Sequence, residues 1–191
     1  MATEEKVVST EVSNVDSDLR ERKVRALRSF LLRLVAFALI LYVLFGHIVG
    51  LTIMPNNDMW PKIGAGDLLL YYRIENTIKS NDVVVFDKTF GEDSSTKRLV
   101  GRVVGCPGDI VEISDEDGLK INGNVMVETG IYAVTRPYMD SEVIYPLQLK
   151  EGEYFILADS RHGGMDSREF GVVSRTEIKG VVITLLRRNR I

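Results

Sequence analysis

From Leu34 to Ile53 the chain reads LVAFALILYVLFGHIVGLTI, twenty residues in which His47 is the one side chain that ionises near neutral pH. A bilayer core about 30 Å thick is crossed by about twenty apolar residues in a helix. A helix is the form that suits such a stretch, because in lipid each backbone polar group must be satisfied within the segment. The stretch therefore predicts one transmembrane helix over 34–53. It is too long for the core of a signal peptide, and IVGLTIMP offers no small-residue exit, so it reads as a stable anchor. His47 near the end of the span reads as a neutral interfacial residue.

The anchor divides the chain into a cytoplasmic tail (1–33), the span (34–53) and a body (54–191). Residues 1–19, MATEEKVVSTEVSNVDSDL, are polar and lack aromatics, which predicts a largely disordered tail. Six positive residues crowd the last fourteen positions of the tail: Arg20, Arg22, Lys23, Arg25, Arg28 and Arg33. Only Lys62 and Arg73 follow within about twenty residues of the span, and this bias places the N-terminus in the cytoplasm and residues 54–191 outside the cell membrane. The net charge of -3 makes no case for nucleic acid. The single cysteine, Cys106, excludes an intrachain disulfide and reads as a small apolar turn residue. His47 and His162 stand too far apart to make a metal motif, and no metal or other cofactor is expected. The closing LLRRNRI reads as a solvated basic tail, with contact to acidic lipid heads as the alternative.

Beyond residue 54 the apolar residues come in short β-rich runs: DLLLYY (67–72), DVVVFD (82–87), RLVGRVVG (98–105), DIVEI (109–113), YFILAD (154–159) and GVVITLL (180–186). Asn122-Gly123 within LKINGNVMV is a strong hairpin signal. No stretch there sustains a helical period. Residues 129–146 read as a long extended excursion. The fold class is mainly β: an antiparallel β-domain carrying one N-terminal transmembrane helix.

The order of several motifs resembles a known family. NNDMWP (56–61) is similar to a Ser-Gly-Ser-Met-x-Pro segment, and GAGDLLLYY and KSNDVVVFD to paired strands. RVVGCPGDIVEI resembles an Arg-x-x-Gly-x-Pro-Gly-Asp strand and turn, and LKINGNVM a strand carrying Asn-Gly. ADSRHGGMDSREFG is similar to Gly-Asp-Asn-Arg-x-x-Ser-x-Asp-Ser-Arg-x-x-Gly, and IKGVVITLL closes the set. Together, over about residues 34–187, these resemble type I signal peptidase in the single-anchor form of Gram-positive bacteria. The resemblance implies a β-fold at the outer membrane face that cuts secreted preproteins after small side chains. It also implies a Ser–Lys dyad, in which a desolvated lysine amine takes the proton of the attacking hydroxyl.

On this alignment the nucleophile falls on Asp58 and the base on Gly101. Lys97 lies four residues upstream of Gly101, about 13 Å along a strand, too far to substitute. Asn56 replaces the serine that aids the oxyanion, and its amide can still donate. Gly164 replaces the later serine, Ala158 the first glycine of that motif and Ser160 its asparagine, while Asp166, Ser167 and Arg168 are kept. Asp166 and Arg168 are expected to form a structural ion pair, and Pro107, Gly108 and Asp109 to be structural. Asn56, Met59, Trp60, Pro61 and Gly164 are the candidate peptide or partner groove. Met59 and Trp60 have the alternative role of a lipid-interface anchor.

The expected function is then a non-catalytic, signal-peptidase-like pseudoenzyme. It would act as chaperone or scaffold for pilin subunits in sortase-dependent pilus assembly. Its partners would be the membrane, an exported polypeptide or pilin, and a sortase. A homodimer through Cys106 or a sheet edge stays open. The alternative is an active signal peptidase that uses Asp58, with Asp166 or Asp159 as a second carboxylate.

Overall fold

The computed structural model describes residues 2–187 except Asn76, residues 91–94, Thr129 and Tyr132; of residues 2–19 and Glu21 it describes the backbone alone. The arginines at 188 and 190 thus lie outside the described residues. The chain divides into two compact units, Met1–Gly46 and His47–Ile191.

The first unit is one helix, α1 (Ala2–Val43), and a π-helical turn (Leu44–Ile48) carries the chain across the boundary into the second unit. The segment long and apolar enough to cross a membrane is Arg22–Ile48, 27 residues. At about 1.5 Å per residue it reaches about 40 Å. Its side chains are open, with Phe30, Leu32, Phe37, Ile40 and Tyr42 all more than half exposed, as lipid-facing residues are. Two boundaries differ from the sequence expectation. The helix begins at Ala2, so residues 2–33 are helical rather than unstructured. The span also ends before Ile53, because Val49–Ile53 forms a strand, β1. β-Branched Val49, Thr52 and Ile53 suit a strand, and a full partner for them arrives from far along the chain. That partner is β2 (Leu68–Tyr72), which pairs Val49 with Tyr72 and Ile53 with Leu68.

The second unit is mainly β and antiparallel. The further strands are β3 (Val83–Phe90), β4 (Ser95–Gly105), β5 (Ile110–Ser114), β6 (Gly118–Ile121), β7 (Asn124–Val125), β8 (Leu147–Gln148), β9 (Glu153–Leu157), β10 (Val173–Ser174) and β11 (Ile178–Leu186). A seven-stranded sheet runs β1-β2-β11-β3-β4-β9-β10, and a four-stranded sheet runs β7-β6-β5-β8. A short helix, α2 (Ser167–Phe170), lies between β9 and β10. β6 and β7 join through Asn122 and Gly123, both at positive φ, the backbone a two-residue hairpin demands.

Burial on both faces explains why the central strands read as continuous apolar runs. In β3, Val84 and Phe86 enter one core cluster with Leu99, Val103 and Ile156, while Val85 enters another with Met54, Met59 and Leu69. In β9, Tyr154 and Ile156 face that first cluster, while Phe155 and Leu157 join Val104, Val111 and Leu119 below the small sheet.

Gly101 lies in β4 opposite Val84. A Cβ there would sit 2.5 Å from Ile156 Cγ2 and 3.2 Å from the Leu157 carbonyl oxygen. The Ile156 side chain packs onto the bare backbone, and any side chain at 101 would force it to shift. Gly101→Ala should therefore cost about 1–3 kcal/mol by overpacking, read as a lower urea midpoint at unchanged slope.

Candidate functional site

The chain between β1 and β2 is a closed loop. Met54 N–H donates to Asp67 O (2.8 Å) and Gly66 N–H to Met54 O (2.9 Å), which fastens the loop's two ends. Inside it, Ala65 N–H donates to Asn57 Oδ1 (2.9 Å) and Ile63 N–H to Met59 O (2.9 Å). Met59 is wholly buried against Met54, Ile63, Leu69 and Tyr71. This corrects its place among the candidate groove residues: a thioether with no exposed surface is a core plug. Trp60, next in sequence, is 57% exposed.

Asp58 is half-buried in this loop. Asn56 Nδ2 donates to its Oδ2 (2.6 Å), and the nearby Met165 backbone N–H also favours its charged form. Ser160 N–H donates to the Asp58 carbonyl (2.8 Å), so the loop is tied to the segment after β9. Burial pushes the Asp58 carboxyl above its ordinary value, and the charge of Asp166 pushes the same way; the two donors only partly offset them.

The segment after β9 is built around arginines. Asp166 caps α2, accepting the Arg168 N–H (3.0 Å), and also takes Ala158 N–H (3.0 Å) and Arg168 Nη2 (2.7 Å). Arg168 is 1% exposed and binds the Arg161 carbonyl through Nη1 (2.9 Å) and Tyr138 Oη through Nη2 (2.8 Å). Arg161, also buried, pairs with Glu128 and donates to the Ala158 carbonyl. Glu128 in turn accepts Thr135 Oγ1 (2.7 Å). Arg102 forms a two-point pair with buried Asp159 (2.8 and 2.7 Å). A cavity of about 290 Å³ lined by Lys62, Asn81, Arg102, Met126 and Glu128 opens beside these groups.

The structure thus brings Asp58, Asn56, Gly164 and Asp166 to one place. A Cβ on buried Gly164 would lie 2.3 Å from the Ala158 Cβ, so glycine is what lets this turn close on Ala158, and it brings the turn within ordinary contact of Asp58, 3.6 Å from its Cβ. Pro107, Gly108 and Asp109 form the β4–β5 turn instead. There Asp109 accepts Cys106 N–H (2.8 Å) and Asn122 Nδ2 (2.8 Å), and Gly108 N–H reaches Leu149 O (2.9 Å). Burial and Asp109 push the Cys106 thiol up, away from thiolate chemistry. Lys97 lies opposite Lys88 with its amine over the Phe90 ring, 5.5 Å from the centroid. Among the described residues no group of His, Cys, Asp and Glu could hold a metal. The arginine pairs to Glu128 and Asp159, and Tyr138, were not expected from the sequence. Their partners lie 33, 57 and 30 residues apart, beyond any local pattern.

A family model described as "Signal peptidase, peptidase S26" matches residues 27–186. Signal peptidase I of Bacillus licheniformis is 28% identical over 145 residues, 67% of this chain and 71% of that protein. Signal peptidase I V of Bacillus subtilis is 31% identical over 137 residues, 65% and 78%. A crystal structure of a signal peptidase I from Enterococcus faecalis V583 covers 56% of this chain and 98% of its own, at 28% identity and a TM-score of 0.44. These relatives overturn the expectation of a non-catalytic protein: chains 28–31% identical to this one over about two thirds of its length are named as the peptidase itself. The substitutions at Asp58 and Gly101 alone do not carry the inference to inactivity.

Because folding raises the Asp58 pKa, the unfolded chain holds fewer protons between the ordinary value of 3.8 and the folded one. Stability therefore falls as pH rises through that window, and the ionised carboxylate costs stability above it. Asp58→Asn should raise the thermal midpoint at neutral pH, and the gain should vanish below about pH 3, where Asp58 is protonated in both states. Scanning calorimetry at the two pH values checks it.

Proposed function

The chain belongs to the signal peptidase S26 family, and from that premise we propose that it is a membrane-anchored endopeptidase that cleaves signal peptides from exported polypeptides, with Asp58 as its acid–base group. The observation that carries this reading is the half-buried Asp58 carboxyl, raised in pKa and held between Asn56 and the 164–166 turn. A carboxyl shifted upward both takes and returns a proton more readily near neutral pH. In the proposed step Asp58 takes a proton from a water whose oxygen bonds to the scissile carbonyl carbon. The C–N bond then breaks, and the leaving nitrogen receives the proton. Asn56 Nδ2 is the donor within reach of the developing oxyanion. Asp166 is the second carboxylate whose charge is felt at Asp58. The basic cluster from Arg20 to Arg33 supports a cytoplasmic N-terminus, which puts this chemistry on the outer side.

A second reading names a different client and role: pilin subunits held by the same loop and presented to a sortase. It rests on the resemblance alone.

The test uses full-length protein in detergent with a preprotein carrying its signal peptide. Cleavage at the signal junction is expected, falling at least about a hundredfold in Asp58→Ala. Intact preprotein or pilin that nonetheless crosslinks at Trp60 would turn the assignment to the second reading. Neither cleavage nor crosslinking would sink both.

A further inference from the structure

Among the contacts that hold the excursion between β7 and β8 to the segment after β9, one reaches Gly164 beside Asp58. Tyr138 Oη donates to the Gly164 carbonyl (2.7 Å) and accepts Arg168 Nη2 (2.8 Å). The Arg168 guanidinium also lies over the Tyr138 ring, 4.3 Å from its centroid, a cation–π contact that fixes the ring's place. Gly164 closes on Ala158 with its backbone in contact range of Asp58, and the N–H of the next residue, Met165, favours the charged form of the Asp58 carboxyl. The coupling runs in one line: Tyr138 holds the Gly164 carbonyl, that carbonyl fixes the 164–165 peptide beside Asp58, and that peptide carries the N–H that favours the Asp58 anion. The ion pair of Arg168 with Asp166 anchors the line from below.

We propose that Tyr138 is a positioning residue for Asp58, acting through the Gly164–Met165 peptide to set the placement and protonation of the carboxyl. The inference rests on the reading of Asp58 as the group that meets the substrate, but the position it assigns to Tyr138 is testable without any substrate. Tyr138 does not touch the reacting atoms in this scheme. Its hydroxyl keeps a donor pointed at an anion, and the loss of that donor favours the protonated form. The groups that face Asp58 are Asn56 on its own loop, and Met165 N–H and Asp166 from the turn. Arg168 is committed to Asp166, and the nearby Asp159 to Arg102. Removing the Tyr138 hydroxyl changes none of these charges.

The experiment is a carboxyl-carbon NMR titration of the full chain in nanodiscs, with labelled aspartate and Asp58→Asn to assign the resonance. In Tyr138→Phe the Asp58 titration should move upward, the Met165 amide should exchange faster, and kcat/KM on the preprotein should fall about tenfold with its pH profile displaced the same way. Tyr138→Phe keeps the ring, so Arg168 retains its stacking partner. An unchanged Asp58 titration in a folded Tyr138→Phe protein overturns the proposal, whatever happens to activity. Should that variant fail to fold, the wild type still decides. The Met165 amide shift must follow the Asp58 titration, and an amide that ignores it breaks the line. A moved titration together with peptide handling indifferent to Asp58→Ala would leave Tyr138 in its assigned place and remove the peptidase reading alone.

Discussion

The pairing of Asp166 with Arg168 organises everything around it. Both groups are buried, with side-chain exposures of 2% and 1%. Two charges taken from water cost several kcal/mol each unless every remaining lone pair and proton is used. Here they are used. Asp166 takes the Ala158 N–H at the end of β9 and caps α2, while Arg168 reaches the Arg161 carbonyl and Tyr138. The pair therefore decides where the chain goes after β9, and the turn at Gly164 follows from it. That turn meets the loop between β1 and β2 at Asp58. A site assembled from segments about a hundred residues apart depends on a rigid seat, and this ion pair with its donors is the seat.

The other constraint is steric. β4 and β9 approach so closely at Gly101 that a methyl group has no place. In the Ser–Lys scheme that position must project an amine. In this chain it projects nothing, and the space has gone to Ile156. The packing at Gly101 and the charge at Asp58 are thus two parts of one difference. In the proposed scheme, proton transfer comes from the carboxyl side of the site.

Much of this was legible in the sequence. The β-runs at 82–87 and 154–159 appear as strands, since apolar runs of that length bounded by turn residues have few other ways to bury themselves. The Asn122-Gly123 hairpin stands where the dipeptide puts it, because positive φ at two adjacent residues has little alternative use. The end of the membrane span did not read correctly. Val49–Ile53 is as apolar as the helix before it, and what makes it a strand is its pairing with β2, which composition does not carry. Met59 failed for a similar reason: an apolar residue beside a site looks like a groove wall until the core that claims it is known. Tyr138, Glu128 and Arg161 were invisible because their meaning lies in partners about thirty residues away, across an excursion with no period to follow.

The carboxylate at position 58 also changes what its neighbours can do. A hydroxyl there would leave the Asn56 amide uncommitted. Ionised Asp58 instead holds Asn56 Nδ2 at 2.6 Å. That donor is spent on the resting anion. When the carboxyl takes up a proton its hold on the amide weakens, since a donor bonds a neutral oxygen less strongly than a charged one. In the proposed step the Asn56 amide is then available to a developing oxyanion as Asp58 accepts the proton of the attacking water. Burial and the charge of Asp166, which raise the Asp58 pKa, favour that same state. In that scheme general base and oxyanion donor form one coupled unit, and the electrostatic cost of a carboxylate beside Asp166 is what primes it.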